Sequence, residues 1–203
     1  MMSTLRSGRQ LVAAVRALLL ATVVLGLVYP LLVTGFAQLV APGRADGSLV
    51  SRDGEVVGSS LVGQAFVDAA GDPLPQYFQS RPSASDYDGA ASGGSNLGPN
   101  SPELVDLVTT RRAEVASFNG VAPSEVPADA VTASASGLDP GISPAYAAIQ
   151  VARVAADRGV PAAEVAALVA TATHGRDLGV IGGPYVNVLE LNLALDREFG
   201  AEG

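Results

Sequence analysis

The chain of 203 residues has no cysteine, no tryptophan and no lysine, and all twelve of its basic residues are arginine. Without cysteine there are no disulfides and no thiolate metal sites, and the redox compartment stays undetermined. Without lysine there is no Walker-type phosphate loop, no Schiff-base chemistry and no lysine general base. His174 is the single histidine, so a Ser-His-Asp hydrolase would have to use it. Charge is missing from one long stretch as well. Between Arg16 and Arg44 no residue is charged, and Ala17–Val40 reads ALLLATVVLGLVYPLLVTGFAQLV.

Twenty-four residues at about 1.5 Å each give roughly 36 Å of helix, enough to cross a hydrocarbon core of about 30 Å with some tilt. It is the one such run, and the rest is polar enough to fold in water. The expected fold class is therefore α+β: a single N-terminal transmembrane helix followed by one mixed α/β extracytoplasmic domain. The expected limits are a cytoplasmic tail at 1–16, a membrane helix at 17–40 and a soluble domain at 41–203. Arg6, Arg9 and Arg16 precede the span and no acid occurs before Asp46. That bias favours a cytoplasmic N-terminus in a cell membrane, with the domain on the other side. A cleavable signal peptide has the same basic-then-apolar layout. Its apolar region is shorter, about 7–15 residues, and no convincing A-x-A site follows this one.

The polar and small exceptions inside the span recur at every fourth residue: Thr22, Gly26, Pro30, Thr34 and Gln38. At 3.6 residues per turn they form one stripe drifting by about 40° per step. A stripe of this kind lets another membrane helix approach closely. Pro30 removes one backbone hydrogen bond, which predicts a kink near Gly26.

From Ala41 onward nine arginines face twenty acids, a formal −11. Such a field repels nucleic acid and anionic lipid, attracts cations and keeps the domain soluble. Along the domain, Ser48–Phe66 reads as one or two strands punctuated by glycines, and Asp68–Pro75 as a turn-rich insertion. Arg81–Pro102 (RPSASDYDGAASGGSNLGPNSP) has too little apolar content for a core helix or strand. Asn100 or Ser101 with Pro102 starts a helix that Asn119-Gly120 stops. Ser143-Pro144 opens a second helix, ended by Gly159, with Tyr146, Ile149, Val151 and Val154 inward. Pro161 opens a third, ending near His174-Gly175, with His174 at its C-terminal end. Val186–Leu195 is either a strand running into a helix or one terminal helix.

Little of this chemistry nominates a site. His174-Gly-Arg-Asp177 places imidazole near carboxylate, but no G-x-S-x-G elbow exists. The alternative of a membrane-anchored hydrolase rests on His174 alone. Asp86-Tyr87-Asp88-Gly89 resembles the start of a calcium loop, with its glycine at the wrong position and no closing glutamate. No catalytic and no metal-ligating set emerges. The long loop is the better candidate, because loops of about 22 residues inside a domain are usually functional or disordered. Its composition points to a partner-binding surface comprising Arg81, Pro82, Ser83, Asp86, Tyr87, Gly94, Ser95, Asn96, Leu97 and Gly98.

At these residues the chain resembles the KdpC family, the C subunits of Kdp-type potassium-transporting P-type ATPases. The resemblance is carried by Tyr29-Pro30-Leu31 with Thr34-Gly35 and by Gly58-Ser59 with Leu61-Val62-Gly63-Gln64-Ala65-Phe66. It continues through Tyr77-Phe78-Gln79-Ser80-Arg81-Pro82-Ser83-Ala84 with Asp86-Tyr87, then Ala91-Ser92-Gly93-Gly94-Ser95-Asn96-Leu97-Gly98-Pro99. Further on stand Pro127, Asp129, Val131-Thr132, Ser134, Ser136, Asp139-Pro140, Gln150 with Arg153, and Val186-Asn187-Val188-Leu189 with Leu191-Asn192 and Asp196. The resemblance runs in family order from about residue 10 to 198 and departs at Asp68–Pro75 and Gly183-Pro184-Tyr185.

It implies a non-catalytic subunit of a high-affinity potassium importer, which stabilises assembly of a channel-like subunit and an ATP-hydrolysing subunit. A small accessory membrane peptide and the lipid bilayer complete the implied partners, with no nucleic acid. The anchor would pack on the channel-like subunit and the domain would lie over the ion entrance. The resemblance also implies a catalytic chaperone that raises the pump's ATP affinity, with Gln150 matching a glutamine assigned to nucleotide contact. No cofactor is implied beyond ATP reached through the ternary complex.

Overall fold

The computed structural model describes residues 2–200 and, within them, side chains from Gly8 onward. The outer limits expected at residues 1 and 203, and the Arg6 side chain, lie outside the described residues. The chain divides into two compact units that meet at Leu49 and Val50.

In the first unit the helical backbone is unbroken from Met2 to Val40. It comprises α1 (Met2–Val23), a π-helical turn (Val24–Val28) and α2 (Tyr29–Val40). Residues 2–16, expected as a separate tail, thus carry the same helix as the span. The stretch Gly8–Val40 is apolar enough to cross a membrane and none of it is buried. The effect of Pro30 takes the form of a π turn. The Tyr29 N–H donates to the Val24 carbonyl, a five-residue step, and the widened turn is centred on Gly26. In an α-helix the Pro30 ring would clash with the Gly26 carbonyl four residues back, and widening the turn relieves that clash. A short helix, α3 (Pro42–Ala45), follows.

The second unit begins with a hairpin of β1 (Leu49–Arg52) and β2 (Glu55–Ser59). Its two-residue loop, Asp53-Gly54, has φ of 53° and 86°. Both lie in the left-handed region that a turn matched to strand twist demands, and Asp-Gly adopts it readily. Both strands fall within the expected Ser48–Phe66, and Ser60-Leu61 is a turn. Helix α4 (Pro102–Asn119) starts after Ser101 and ends on Gly120 at φ 65°, as the proline and glycine dictate. Two 3₁₀ turns, Pro123–Glu125 and Ala128–Ala130, lead to β3 (Gly141–Ile142) and α5 (Pro144–Asp157).

Helix α6 (Ala162–Thr171) stops three residues short of the expected end. Thr173–His174 form β4, so His174 is a strand residue and not a helix-terminal one. The reason is tertiary: β5 (Tyr185–Asn187) pairs antiparallel with β4 on one edge and β3 on the other. β5 runs straight into α7 (Val188–Phe199), which settles the two expected alternatives in favour of strand then helix. Val154, Val165, Val186, Leu191 and Leu195 are wholly buried where α5, α6, β5 and α7 meet, together with Phe78. Each contributes about 1.5–3 kcal/mol by leaving water, and together they fix the three-helix-and-sheet frame.

Candidate functional site

Phe78 and Gln79 lie outside any helix or strand and turn their peptide groups to opposite sides. Each side is held by a buried side-chain amide. Asn192 of α7 accepts from the Phe78 N–H (2.9 Å) and donates to the Phe78 carbonyl (2.9 Å). Gln150 of α5 accepts from the Gln79 N–H (2.7 Å) and donates to the Gln79 carbonyl (3.1 Å). Both amides imitate a neighbouring β-strand, and the segment is clamped between two helices. Gln150 is 0% exposed, and its oxygen takes a second bond from Arg153 (2.9 Å). Both of its polar atoms are therefore engaged inside the protein.

Two arginines extend the clamp. Arg153 donates to the Asn119 side chain (2.9 Å), the Tyr77 carbonyl (3.0 Å) and the Pro75 carbonyl, and it lies over the Phe118 ring. Desolvation lowers its pKa to about 10, so it stays charged at neutral pH with its donors spent on uncharged acceptors. Arg158 is buried against Asp196 at 2.8 Å and also donates to the Gln76 carbonyl (2.8 Å) and the Gly200 carbonyl (3.0 Å). Asp196 accepts in addition from Arg52 (2.6 Å) and the Tyr77 hydroxyl (3.1 Å). Residues 75–79 are thus fixed by three helices and the β1–β2 hairpin.

Beyond the clamp the long loop contains no helix or strand, as expected, but it is not free. It is stitched along residues 132–139. Arg81 pairs with Asp139 at 2.9 Å, and its Nε is the one buried side-chain nitrogen or oxygen among the described residues without a hydrogen bond. The Pro82 carbonyl accepts from Ser134 N–H (3.2 Å), the Ser83 hydroxyl donates to the Gly137 carbonyl (2.7 Å), and Gly93 N–H donates to Ser136 (2.8 Å). The Tyr87 hydroxyl bonds the Arg81 carbonyl, and burial pushes its pKa up to about 12. Gly94 lies against the Ala135 backbone. Of the ten loop residues expected at a partner surface, Asp86, Ser95, Asn96 and Gly98 are exposed, whereas Arg81, Pro82, Ser83, Tyr87, Gly94 and Leu97 are half-buried. Ser85–Asp88 forms a turn with φ positive at both central residues, Asp86 and Tyr87, and Asp88 accepts from Ala90 N–H (2.9 Å).

Gly137 closes this stitching at φ 69°, and a Cβ there would sit 2.4 Å from the Ser85 hydroxyl and 2.6 Å from the Gly93 carbonyl. Gly137→Ala is therefore expected to cost about 1–3 kcal/mol through strain and overpacking. A lowered melting temperature and faster proteolysis within 83–95 would register it. An unchanged melt would show that the loop is not held by these contacts.

Arg81, the first residue of the stitched loop, lines a cleft of about 460 Å³ together with Leu61, Asp129, Asp139, Pro184 and Tyr185. Asp129 accepts from the Ser143 N–H (2.7 Å) and hydroxyl (2.9 Å), and Ser143 in turn caps α5 through Tyr146 N–H (3.0 Å). His174 stacks on Tyr185 with ring centres 4.8 Å apart and reaches Glu190 at 3.3 Å. Among the described residues Glu190 is its hydrogen-bond partner and no serine is joined to it, which leaves the hydrolase alternative without a nucleophile–base pair.

Along the span, Thr22, Gly26, Pro30, Thr34 and Gln38 are all exposed. Gln38 donates to Asp46 at 2.7 Å, so its amide is partly satisfied within its own unit. The π turn has a consequence for the other four. Four residues overshoot a full α turn but fall short of a π turn, so the steps through Gly26 run back against the drift. The stripe is straighter than an uninterrupted α-helix would make it.

Sequence reasoning missed Asn192, Arg158, Asp196 and Tyr185. Asn192 had a usable signal, a polar residue on the apolar stripe of Val188, Leu191 and Leu195.

A model of the KdpC family, described as K+-transporting ATPase, c chain, matches residues 11–197. Curated relatives named potassium-transporting ATPase KdpC subunit include one from Kineococcus radiotolerans, 56% identical over 189 residues and covering 92% of this chain and 93% of that protein. Another, from Beijerinckia indica, is 53% identical over 185 residues, covering 90% and 91%. A third, from Xanthomonas campestris, is 51% identical over 173 residues, covering 85% and 80%. A match across nearly the whole chain, spanning anchor, clamp, loop and cleft, places this protein in the KdpC family of potassium-transporting ATPase subunits.

Proposed function

We propose that the chain works without catalysing a reaction itself, as the part that holds a potassium-importing ATPase together in the cell membrane. Its anchor packs on a channel-like subunit, and its soluble unit, outside the cytoplasm, braces that subunit near the ion entrance. The ATP-hydrolysing subunit and a small membrane peptide complete the assembly. The observation carrying this reading is a long apolar helix, none of it buried, bearing a straightened stripe of small residues. Such a helix gains most from a neighbour packed against that stripe. The acidity of the soluble unit, −11 from Ala41 onward, suits a surface that concentrates cations.

A rise in the pump's ATP affinity fits this role through assembly. Gln150 serves as a clamp on Gln79, and a nucleotide could bond its amide only after that segment was displaced. The four exposed loop residues Asp86, Ser95, Asn96 and Gly98 remain available to a partner. Thr22, Gly26, Pro30 and Thr34 form the helix interface, with Gln38 at its end.

Co-purification tests the reading. Tagged chain solubilised in mild detergent should bring down both large subunits. Gly26→Leu should insert normally into the membrane yet recover about tenfold less of them, a loss of about 1.4 kcal/mol at the helix interface. Equal recovery would remove the stripe from the interface, and no recovery by the wild type would overturn the accessory role. Protease added to cells without an outer barrier should digest the soluble unit; protection would reverse the orientation.

A further inference from the structure

The loop joining β4 to β5 carries three apolar side chains into solvent. Leu178 is 90% exposed, Val180 75% and Ile181 57%. They are not on a loose tether. Asp177 and Ile181 exchange both backbone hydrogen bonds, at 3.0 and 2.9 Å, and Leu178 is held at a left-handed φ of 51°. A hairpin tip built this way presents its apolar side chains in a fixed arrangement. Its base runs into the cleft, since Pro184 and Tyr185, the last residue of the loop and the first of β5, line it.

We infer that this tip and the cleft at its base form one docking face for a segment of a membrane-embedded subunit of the same pump. The inference rests on the accessory reading above and adds to it the surface and the partner's chemistry. The tip demands apolar side chains to cover Leu178, Val180 and Ile181. The cleft demands a cation: Arg81 is outnumbered by Asp129 and Asp139, and Asp139 remains 34% exposed while paired with Arg81. A basic side chain entering beside Asp139 completes that charge balance.

Two other occupants are disfavoured. The formal −11 of the soluble unit opposes an anionic lipid surface, and the tip has no Lys, Trp or Phe with which interfacial segments usually anchor. A second copy would have to set one acidic face against another.

The test uses the whole pump, with Val180→p-benzoylphenylalanine as a photo-crosslinking probe and the same probe at Val105, exposed on α4, as the control. Illumination of the purified complex should give an adduct between position 180 and one membrane-embedded subunit, identified by mass, and none from position 105. Adding Leu178→Ser and Ile181→Ser, which leave the buried frame untouched, should cut the adduct about tenfold. Adducts to lipid or to a second copy, or no adduct while the other subunits still co-purify, would overturn the docking face and leave the accessory role standing. If the wild-type chain recovers no partner subunit, both fall together.

Discussion

Full-length chain carrying Gln150→Ala is expected to melt about 10 °C below the wild type, with a parallel loss of assembled pump. The substitution removes an amide that is wholly buried and leaves the N–H and carbonyl of half-buried Gln79 without these partners. Unsatisfied buried groups cost about 1–3 kcal/mol each, so about 2–5 kcal/mol is lost. At about 2–4 °C per kcal/mol for a chain of this size, the expected shift follows. Arg153, whose Nη2 also bonds the Gln150 oxygen, loses part of what offsets its desolvation.

Asn192→Ala separates this account from direct nucleotide contact. Asn192 grips Phe78 from the opposite helix with the same pair of bonds, and the KdpC resemblance assigns it no nucleotide. The two variants should therefore lower melting temperature, pump assembly and apparent ATP affinity together. If Gln150→Ala weakens ATP affinity while the melt stays at the wild-type value, the glutamine meets the nucleotide and the clamp is incidental. Gln150→Glu should not rescue, because it keeps an acceptor for Gln79 N–H but loses the donor and buries a charge.

The comparison also marks what the linear chain could and could not convey. The span, the proline-started helices α4 and α5 and the Gly120 stop were legible because each is decided within a few residues. Hydrophobic length, Ser143 ahead of Pro144 and Asn119-Gly120 are local signals. The strand at His174 was not, since it exists only because β5 lies alongside it, and propensity near a helix end favours continuing the helix. Nor could the inward turn of Arg81 and Ser83 be read: their partners Asp139 and Gly137 are more than fifty residues away. The loop's composition points outward to a partner, whereas Arg81, Pro82, Ser83 and Gly93 bond to residues 132–139. Polar residues on an apolar stripe, Gln150 among Tyr146, Ala147 and Val154 and Asn192 among Val188, Leu191 and Leu195, were the one legible trace of the clamp.

Asp196→Ala should be at least as damaging, and it tests whether the clamp has a second support. Three donors converge on this carboxylate: Arg158 at 2.8 Å, Arg52 at 2.6 Å and the Tyr77 hydroxyl at 3.1 Å. Their exposures differ, and that sets the order of effects. The Arg158 side chain is 1% exposed and Asp196 5%, whereas Arg52 is 43% exposed. Losing Asp196 leaves a buried guanidinium with only carbonyls to face, a cost of about 3–5 kcal/mol. Arg52→Ala removes a solvent-facing partner and should cost less than about 1 kcal/mol. Replacing Arg158 and Asp196 together by Met and Leu removes both buried charges and should recover much of the loss.

Thermal melts of the four proteins in detergent decide the matter. If Asp196→Ala and Arg52→Ala shift the melt equally, the energy lies in the exposed pair and the buried one is incidental. The consequence extends to function through Tyr77, which Asp196 holds one residue ahead of Phe78. Freed at that point, the chain between Pro75 and Arg81 no longer fixes Arg81 at the cleft. Asp196→Ala should therefore also reduce the adduct from position 180 that reports docking.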